Sequence, residues 1–326
     1  MLIDNHFRVH NYLRISLTDA CNFRCLYCMP DENTPCTPHK NLMQVDEIET
    51  FVKLFISLGV NKLRLTGGEP LVRKEAEEII DRISTYNADL HITTNGYLLK
   101  EFEPCFKKNN LKGINISLDT LDATKFFVLT QRDNFEKVMS NIDYFLGLNY
   151  SLKINVVMMK GINDNEIVDF ISWTKHLPLH IRFIEFMPFD GNLWSDKKLF
   201  PMQQIIDEAN DHFDIIKLQD EKNDTTKKYK VVGHQGTFAV ISTMTSPFCS
   251  NCNRLRLTAD GKLKNCLFSK TETDLLTPLR NKQDVKNLIL ETVLKKEKER
   301  GGQIFDSFSD VQAHEMKNRS MIKIGG

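Results

Sequence analysis

Strand-like and helix-like runs alternate six times in the first two thirds of the chain, and this rhythm limits the fold more than any other feature. The strand-like runs are 12–17, 62–65, 90–93, 113–118, 152–158 and 180–186. They are short, rich in Ile, Val and Leu, and in places apolar on both sides, as buried parallel strands are. Between them, Ile48, Val52, Phe55 and Leu58 share one helical face, and Gly59 is placed to stop that helix. Similar stripes cover 76–83, 135–145, 167–173 and 202–209. Units repeating at roughly 30–40 residues predict a parallel sheet closed or partly closed as a barrel, two units short of the eightfold form. After about residue 212 the rhythm changes. Residues 219–230 are polar and read as a linker or exposed turn; short strands around Val231, 238–241 and 255–257 follow, then helical segments near 274–280 and 283–300. The expected organisation is an α/β partial barrel over 1–218 and an α+β domain over 219–326.

Forty-three basic residues balance forty-three acidic ones. That balance sets aside a generic binder of nucleic acid or anionic membrane. Asp4, His6, Arg8, His10 and Arg14 interrupt the N-terminal apolar residues, so no secretory signal is expected. No apolar stretch approaches a membrane span. The expectation is a soluble cytoplasmic protein, in which eight cysteines are not disulfides. Six of them form two knots, Cys21, Cys25 and Cys28, then Cys249, Cys252 and Cys266, while Cys36 and Cys105 stand apart. Such clustering points to metal.

The first knot, CxxxCxxC, offers three soft thiolates. Structural zinc wants four closed ligands. Three thiolates on a [4Fe–4S] cluster leave one iron open to a small molecule. This knot follows the first strand, Thr66-Gly-Gly-Glu-Pro70 the second and Thr93-Thr-Asn-Gly96 the third. Ser117-Leu-Asp119 ends the fourth, Lys153 lies on the fifth, and Met187 follows the sixth. In a parallel barrel the C-terminal strand ends form the active face, so these signals converge on one mouth. Gly67 and Gly68 let backbone approach a ligand, and Glu69 is placed to orient that loop. In the second knot, CxxC plus a cysteine thirteen residues on suits either a second open cluster or zinc completed by Asp or His. Arg254 and Arg256 share a strand face between its cysteines; they suit a phosphate-bearing substrate or are solvated charges.

CxxxCxxC after a first strand, an aromatic before its last cysteine and the following GGEP resemble the radical S-adenosylmethionine (SAM) superfamily. The paired knots, Cys252-Asn-Arg-Leu-Arg256 and the terminal Gly325-Gly326 resemble its GTP 3′,8-cyclase family of molybdenum cofactor biosynthesis, essentially end to end. The resemblance implies a partial (β/α)6 barrel whose open side is covered by the C-terminal domain, two [4Fe–4S] clusters, and SAM on the first. It implies that a 5′-deoxyadenosyl radical removes the 3′ hydrogen of GTP, after which C3′ attacks C8. By motif, Tyr27, Gly68, Ser117 and Met187 are expected SAM contacts. Arg14, Arg64, Thr93, Lys153, Arg254, Leu255 and Arg256 are expected GTP contacts, with Arg14, Arg64 and Lys153 on or near strand ends. The diglycine is expected to insert near Arg14, Arg64 or Lys153 and support activity. Expected partners are a small electron-donor protein, a downstream cyclic pyranopterin monophosphate synthase and a second copy in a homodimer. No GxxxxGK[ST] occurs, so GTP would bind without a P-loop. The rival readings are a twin-cluster radical enzyme acting on peptides and a zinc-stabilised, non-catalytic binding protein.

Overall fold

The computed structural model describes residues 1–28, 35–303, 308, 311 and 313–325. Six parallel strands, paired in chain order, form its centre: β1 (Tyr12–Ser16), β2 (Lys62–Thr66), β3 (Asp89–Thr94), β4 (Gly113–Ser117), β5 (Leu152–Met158) and β6 (His180–Glu185). The crossovers carry α1 (Val45–Ser57), α2 (Ala76–Ile83), α3 (Glu103–Lys108), α4 (Ala123–Thr130), α5 (Phe135–Gly147) and α6 (Ile167–Ser172). Helix α1 opens where the Glu47 carboxylate accepts the Gln44 N–H at 2.7 Å, satisfying a donor the helix cannot use. It ends at Gly59, whose φ of +100° a side chain would resist. Helices α3 and α4 escaped the periodic reading because α3 buries only the adjacent Cys105 and Phe106, and α4 runs Phe-Phe-Val-Leu without a polar break, so neither shows a stripe.

Strand alternation divides the molecule. Leu13, Ile15, Leu63, Leu65, Ile92, Ile114, Ile116, Ile154 and Phe183 are fully buried against Phe51, Phe55, Ile80, Phe106, Phe145 and Phe170 of the helices. Their neighbours in sequence, among them Arg14, Arg64, Lys153 and Arg182, therefore face the barrel interior. The strands are apolar on both sides only in places, at Val156–Val157 of β5 and Phe183–Ile184 of β6; elsewhere the inner face is mostly polar.

After α7 (Met202–His212), strands β7 (Ile215–Lys217), β8 (Lys227–Val231) and β9 (Thr237–Ile241) follow, with β9 parallel to β6 and β8 antiparallel to β9. On the opposite edge, β10 (Arg254–Leu257) lies parallel to β1, with β11 (Lys262–Lys264) and β12 (Thr273–Asp274) beyond it. The described residues thus form one open twelve-stranded sheet, ordered β12-β11-β10-β1-β2-β3-β4-β5-β6-β9-β8-β7. Two expectations change. Residues 227–230, read as linker, are the start of β8, where Tyr229 packs on Phe238 with ring centroids 5.4 Å apart. Residues 219–326 build no separate sheet; their strands extend both edges of the barrel sheet. Helices α8 (Leu276–Arg280), α9 (Lys286–Leu294) and α10 (Met321–Ile324) complete the fold, α9 stopping short of the helical run expected to 300.

Candidate active site

The loop after β1 is shaped before any ligand arrives. Phe23 is buried beneath Phe126 and Tyr97, at ring distances of 5.7 and 6.3 Å, and anchors it. A Cβ on Gly67 would stand 2.5 Å from the Thr18 carbonyl oxygen, and one on Gly68 2.5 Å from that of Ala20. The glycine pair is needed so that the β2 loop can lie against the cysteine loop, where the Gly68 N–H donates to Thr18 O at 2.7 Å. Buried Glu69 accepts from Leu71 N, Thr94 Oγ1 and Asn95 N, the orienting role expected of it.

Cys21, Cys25 and Cys28 are free thiols within each other's electrostatic reach. Burial, with the charges of Cys21 and Asp119, pushes Cys28 up to about 12, and burial with Glu69 pushes Cys21 up to about 11. Burial and the same neighbours hold Cys25 well above the ordinary thiol range. Three half-buried thiols that resist ionisation in a carboxylate-lined pocket would become thiolates against a soft cationic centre, as an iron–sulfur cluster provides. Around them, the Tyr27 hydroxyl donates to Asp119 Oδ2 at 2.6 Å, and Asp119 Oδ1 accepts from Val157 N at 2.8 Å. Ser117 closes β4, and the Met187 carbonyl beyond β6 accepts from Asn192 Nδ2. The four expected SAM contacts therefore sit at C-terminal strand ends or in the loops that follow.

The second triad lies at the other end of the barrel. Cys252 precedes β10, which runs parallel to β1, and Cys266 follows antiparallel β11. The triads are thus separated by at least the length of β1, roughly 16 Å for five residues. Cys249 sits in a 3₁₀ turn whose carbonyl accepts from Arg8 at 2.8 Å, and its Sγ accepts from Arg300 N at 3.5 Å. Burial, helped by Cys266 and Cys252, raises Cys249. Burial would raise Cys252 too, but the Lys296 and Arg254 charges prevail and bring it down to about 6. Among the described residues no three Cys, His, Asp or Glu side chains form a ready single-ion site.

Between the two ends lies a run of cations. In register, Arg256, Arg14 and Arg64 stand side by side on β10, β1 and β2. Neighbouring like charges on adjacent strands repel, and burial deepens the cost. Arg64 donates to Tyr12 Oη at 2.5 Å, to Ile92 O at 2.9 Å and to Thr93 Oγ1 at 3.4 Å. Burial, the Arg182 and Arg64 charges and two further lysines lower Lys153 to about 8; burial and Arg64 lower Arg182 to about 9. Buried Arg182 Nε and Nη2, with Asn115 Oδ1 and Asn155 Oδ1, have no hydrogen-bond partner among the described residues.

The expected GTP contacts are brought together, with corrections. Arg14 and Arg64 are mid-strand and Lys153 is at the N-terminal end of β5, so they line the barrel's depth rather than its C-terminal mouth. The Leu255 side chain is fully buried in the outer core, so only its backbone faces the channel. Arg182 was missed; its signal was its place two residues after His180 on an alternating strand. The tail enters this interior. The Gly325 carbonyl accepts from Arg256 Nη1, and a Cβ there would meet Thr66 Oγ1 at 2.8 Å and Ser16 Cβ at 2.9 Å. The Gly325 carbonyl thus meets Arg256, the cross-strand neighbour of Arg14, while the terminal carboxylate expected near Arg14, Arg64 or Lys153 belongs to Gly326, outside the described residues. Arg319 roots the tail through two bonds to Asp260, at 2.8 and 2.9 Å. Cys36 is exposed and Cys105 is buried on α3, apart from the triads in sequence.

Comparison with known proteins agrees with this layout. Residues 15–174 match the radical SAM superfamily and residues 179–301 match Molybdenum Cofactor Synthesis C. The chain is 46% identical to the mitochondrial GTP 3′,8-cyclase of Arabidopsis thaliana, covering 100% of this chain and 84% of that protein. It is 38% identical to the GTP 3′,8-cyclase of Peptoclostridium acidaminophilum, covering 100% and 98%. It is 42% identical to human molybdenum cofactor biosynthesis protein 1 but spans 51% of that protein, about half its length. Among solved structures, Streptococcus suis SuiB bound to S-adenosylmethionine superposes with a TM-score of 0.61 over 86% of this chain and 65% of that one. At 16% identity that likeness is one of fold.

Proposed function

The chain belongs to the GTP 3′,8-cyclase family within the radical SAM superfamily, and on that premise we propose that it converts GTP to (8S)-3′,8-cyclo-7,8-dihydroguanosine 5′-triphosphate, the first step of molybdenum cofactor biosynthesis. The observation that carries the reading is the interior row Arg256–Arg14–Arg64, joined by Arg182 and Lys153, between two cysteine triads. Clustered cations of this kind match a triphosphate, which guanidinium groups bind through paired charge-assisted bonds. Cys21, Cys25 and Cys28 would hold one [4Fe–4S] cluster, and Cys249, Cys252 and Cys266 a second. The first cluster and bound SAM supply a carbon radical on one-electron reduction.

The chain's own residues bind, orient and shield. Tyr27, Gly68, Ser117 and Met187 line the SAM end. Arg14, Arg64, Thr93, Lys153, Arg182, Arg256 and the backbone of Leu255 hold the nucleotide along the barrel, with Arg254 at its far end. Gly325 closes the channel against Arg256. No residue is assigned as a general base, since the 3′ hydrogen leaves as an atom; the ring radical left when C3′ joins C8 takes a second electron and a proton at N7 to give the 7,8-dihydro product, and no residue is assigned as that proton's donor. In this reading 1–218 is the SAM unit and 219–326 supplies the substrate-side cluster. The enzyme is cytoplasmic, draws its electrons, one to cleave SAM and one to reduce the cyclised radical, from a small donor protein and passes product to a cyclic pyranopterin monophosphate synthase; a homodimer is its expected assembly. The relatives' names favour this activity over peptide modification or a zinc-stabilised binding role. Anaerobic reconstitution followed by turnover of GTP deuterated at C3′ tests it. Deuterium should appear in 5′-deoxyadenosine; GTP cyclised without such transfer would sink the proposal.

A further inference from the structure

Lys296 lies just beyond α9 and is 3% exposed. Its ammonium donates to the Arg254 carbonyl at 2.9 Å and to Cys252 Sγ at 3.6 Å. Among the described residues no carboxylate stands within ion-pair distance of it. Asp4, whose charge belongs to the same corner, is already taken by Arg8 at 2.7 Å and His10 at 2.9 Å. A buried ammonium without an anion is costly, because burial strips its water and nothing replaces the lost stabilisation. The one soft anion within its reach is the Cys252 thiolate. Lys296 also stays out of the arginine row, since it holds the outer carbonyl of Arg254 rather than a group in the channel.

We propose that Lys296 is a positioning residue for the second cluster: it hydrogen-bonds the Cys252 thiolate and favours the reduced form of that cluster. The inference rests on the reading of Cys249, Cys252 and Cys266 as cluster ligands. An N–H···S bond withdraws electron density from a ligand sulfur, and a fixed positive charge favours the form carrying one more electron. Only one electron is gained; no bond is made or broken.

The test is an EPR-monitored redox titration of the anaerobically reconstituted holoenzyme, compared with Lys296→Met and Lys296→Arg. A Cys21/Cys25/Cys28→Ala background assigns which signal belongs to the second triad. With iron content equal to the parent, Lys296→Met should lower the reduced-to-oxidised ratio of the second cluster about tenfold at a fixed potential, a midpoint shift of about 59 mV. The first cluster's midpoint should stay where it was, and Lys296→Arg should restore most of the second. Loss of the second cluster in Lys296→Met but not in Lys296→Arg also supports a charge-bearing role. Loss in both variants with the fold intact would reduce Lys296 to packing and overturn the proposal. About eight irons per chain with an unmoved midpoint would overturn it alone. About four irons in the parent would instead remove the two-cluster reading, and the proposal with it.

Discussion

Cys25 and Cys28 look onto Asp119 and Cys21 onto Glu69, whereas Cys252 looks onto Lys296 and Arg254. Burial acts on both triads in the same direction, raising the thiols. At the first, carboxylates add to it and every thiol moves up. At the second, two cations overturn it for Cys252. Identical ligand types are thus placed in opposite fields at opposite ends of one barrel. A carboxylate-lined cluster site disfavours the added electron and makes the reduced centre a stronger reductant, which suits cleavage of a sulfonium. A cation-lined site accepts negative charge, which suits an anionic substrate beside it.

The largest effect expected from breaking this contrast is at the first triad. Replacing Cys21, Cys25 or Cys28 with Ala should drop SAM cleavage to background, measured as 5′-deoxyadenosine, while Cys36→Ala keeps it. Abolition in a folded Cys36→Ala protein would remove the assignment. Next, changing Cys249, Cys252 and Cys266 together to Ser should remove roughly half the iron and weaken GTP binding. Iron unchanged by that triple substitution would end the symmetry of the comparison. Gly325→Ala, which forces a methyl group onto Thr66 and Ser16 and strains a φ of +82°, should slow product formation about a hundredfold. Both clusters and GTP binding should survive in that variant, so a parent rate at matched iron content would make the tail incidental.

Smaller effects sharpen the cationic half. Arg182→Met should weaken GTP binding roughly ten- to hundredfold, the worth of a charge-assisted hydrogen bond at about 1.5–3 kcal/mol. SAM binding at the far end should be unaffected, as calorimetry can show. The last effect is in pH. Lys153 is lowered to about 8, chiefly by burial and then by Arg182. It is charged below that value and neutral above it, and triphosphate favours the charged form. GTP affinity should therefore be level below about pH 8 and decline above it. Lys153→Met should be weaker throughout and lose the break; a break that persists in this variant belongs to another group.

Much of this was legible before folding. The cysteine spacing named the proposed ligands, the GGEP and Thr93-Thr-Asn-Gly96 loops fell where strand ends were expected, and Gly59 marked the end of α1 correctly. What escaped has physical reasons. Arg182 carries no motif, and an arginine on a strand reads equally as a solvated charge until both faces of the sheet are known. Leu255 lies between two functional arginines in sequence, yet period-two alternation turns its side chain away into the outer core. The glycines of GGEP read as positions where backbone can approach closely; that Gly67 and Gly68 lie against the backbone of Thr18 and Ala20 is a contact no local pattern names.

The sequence by itself determined the two cysteine triads, the six-unit rhythm and the residue types at the channel, because these depend on spacing within a few residues. Only the tertiary structure decided that β10 docks beside β1, placing Arg256 next to Arg14 from 242 positions away, and that the Gly325 carbonyl meets Arg256. It also decided that Lys296 and Asp119 face different triads. These are consequences of strand order and chain path, and the energies that choose them are summed over a whole sheet and core, so no local pattern carries them.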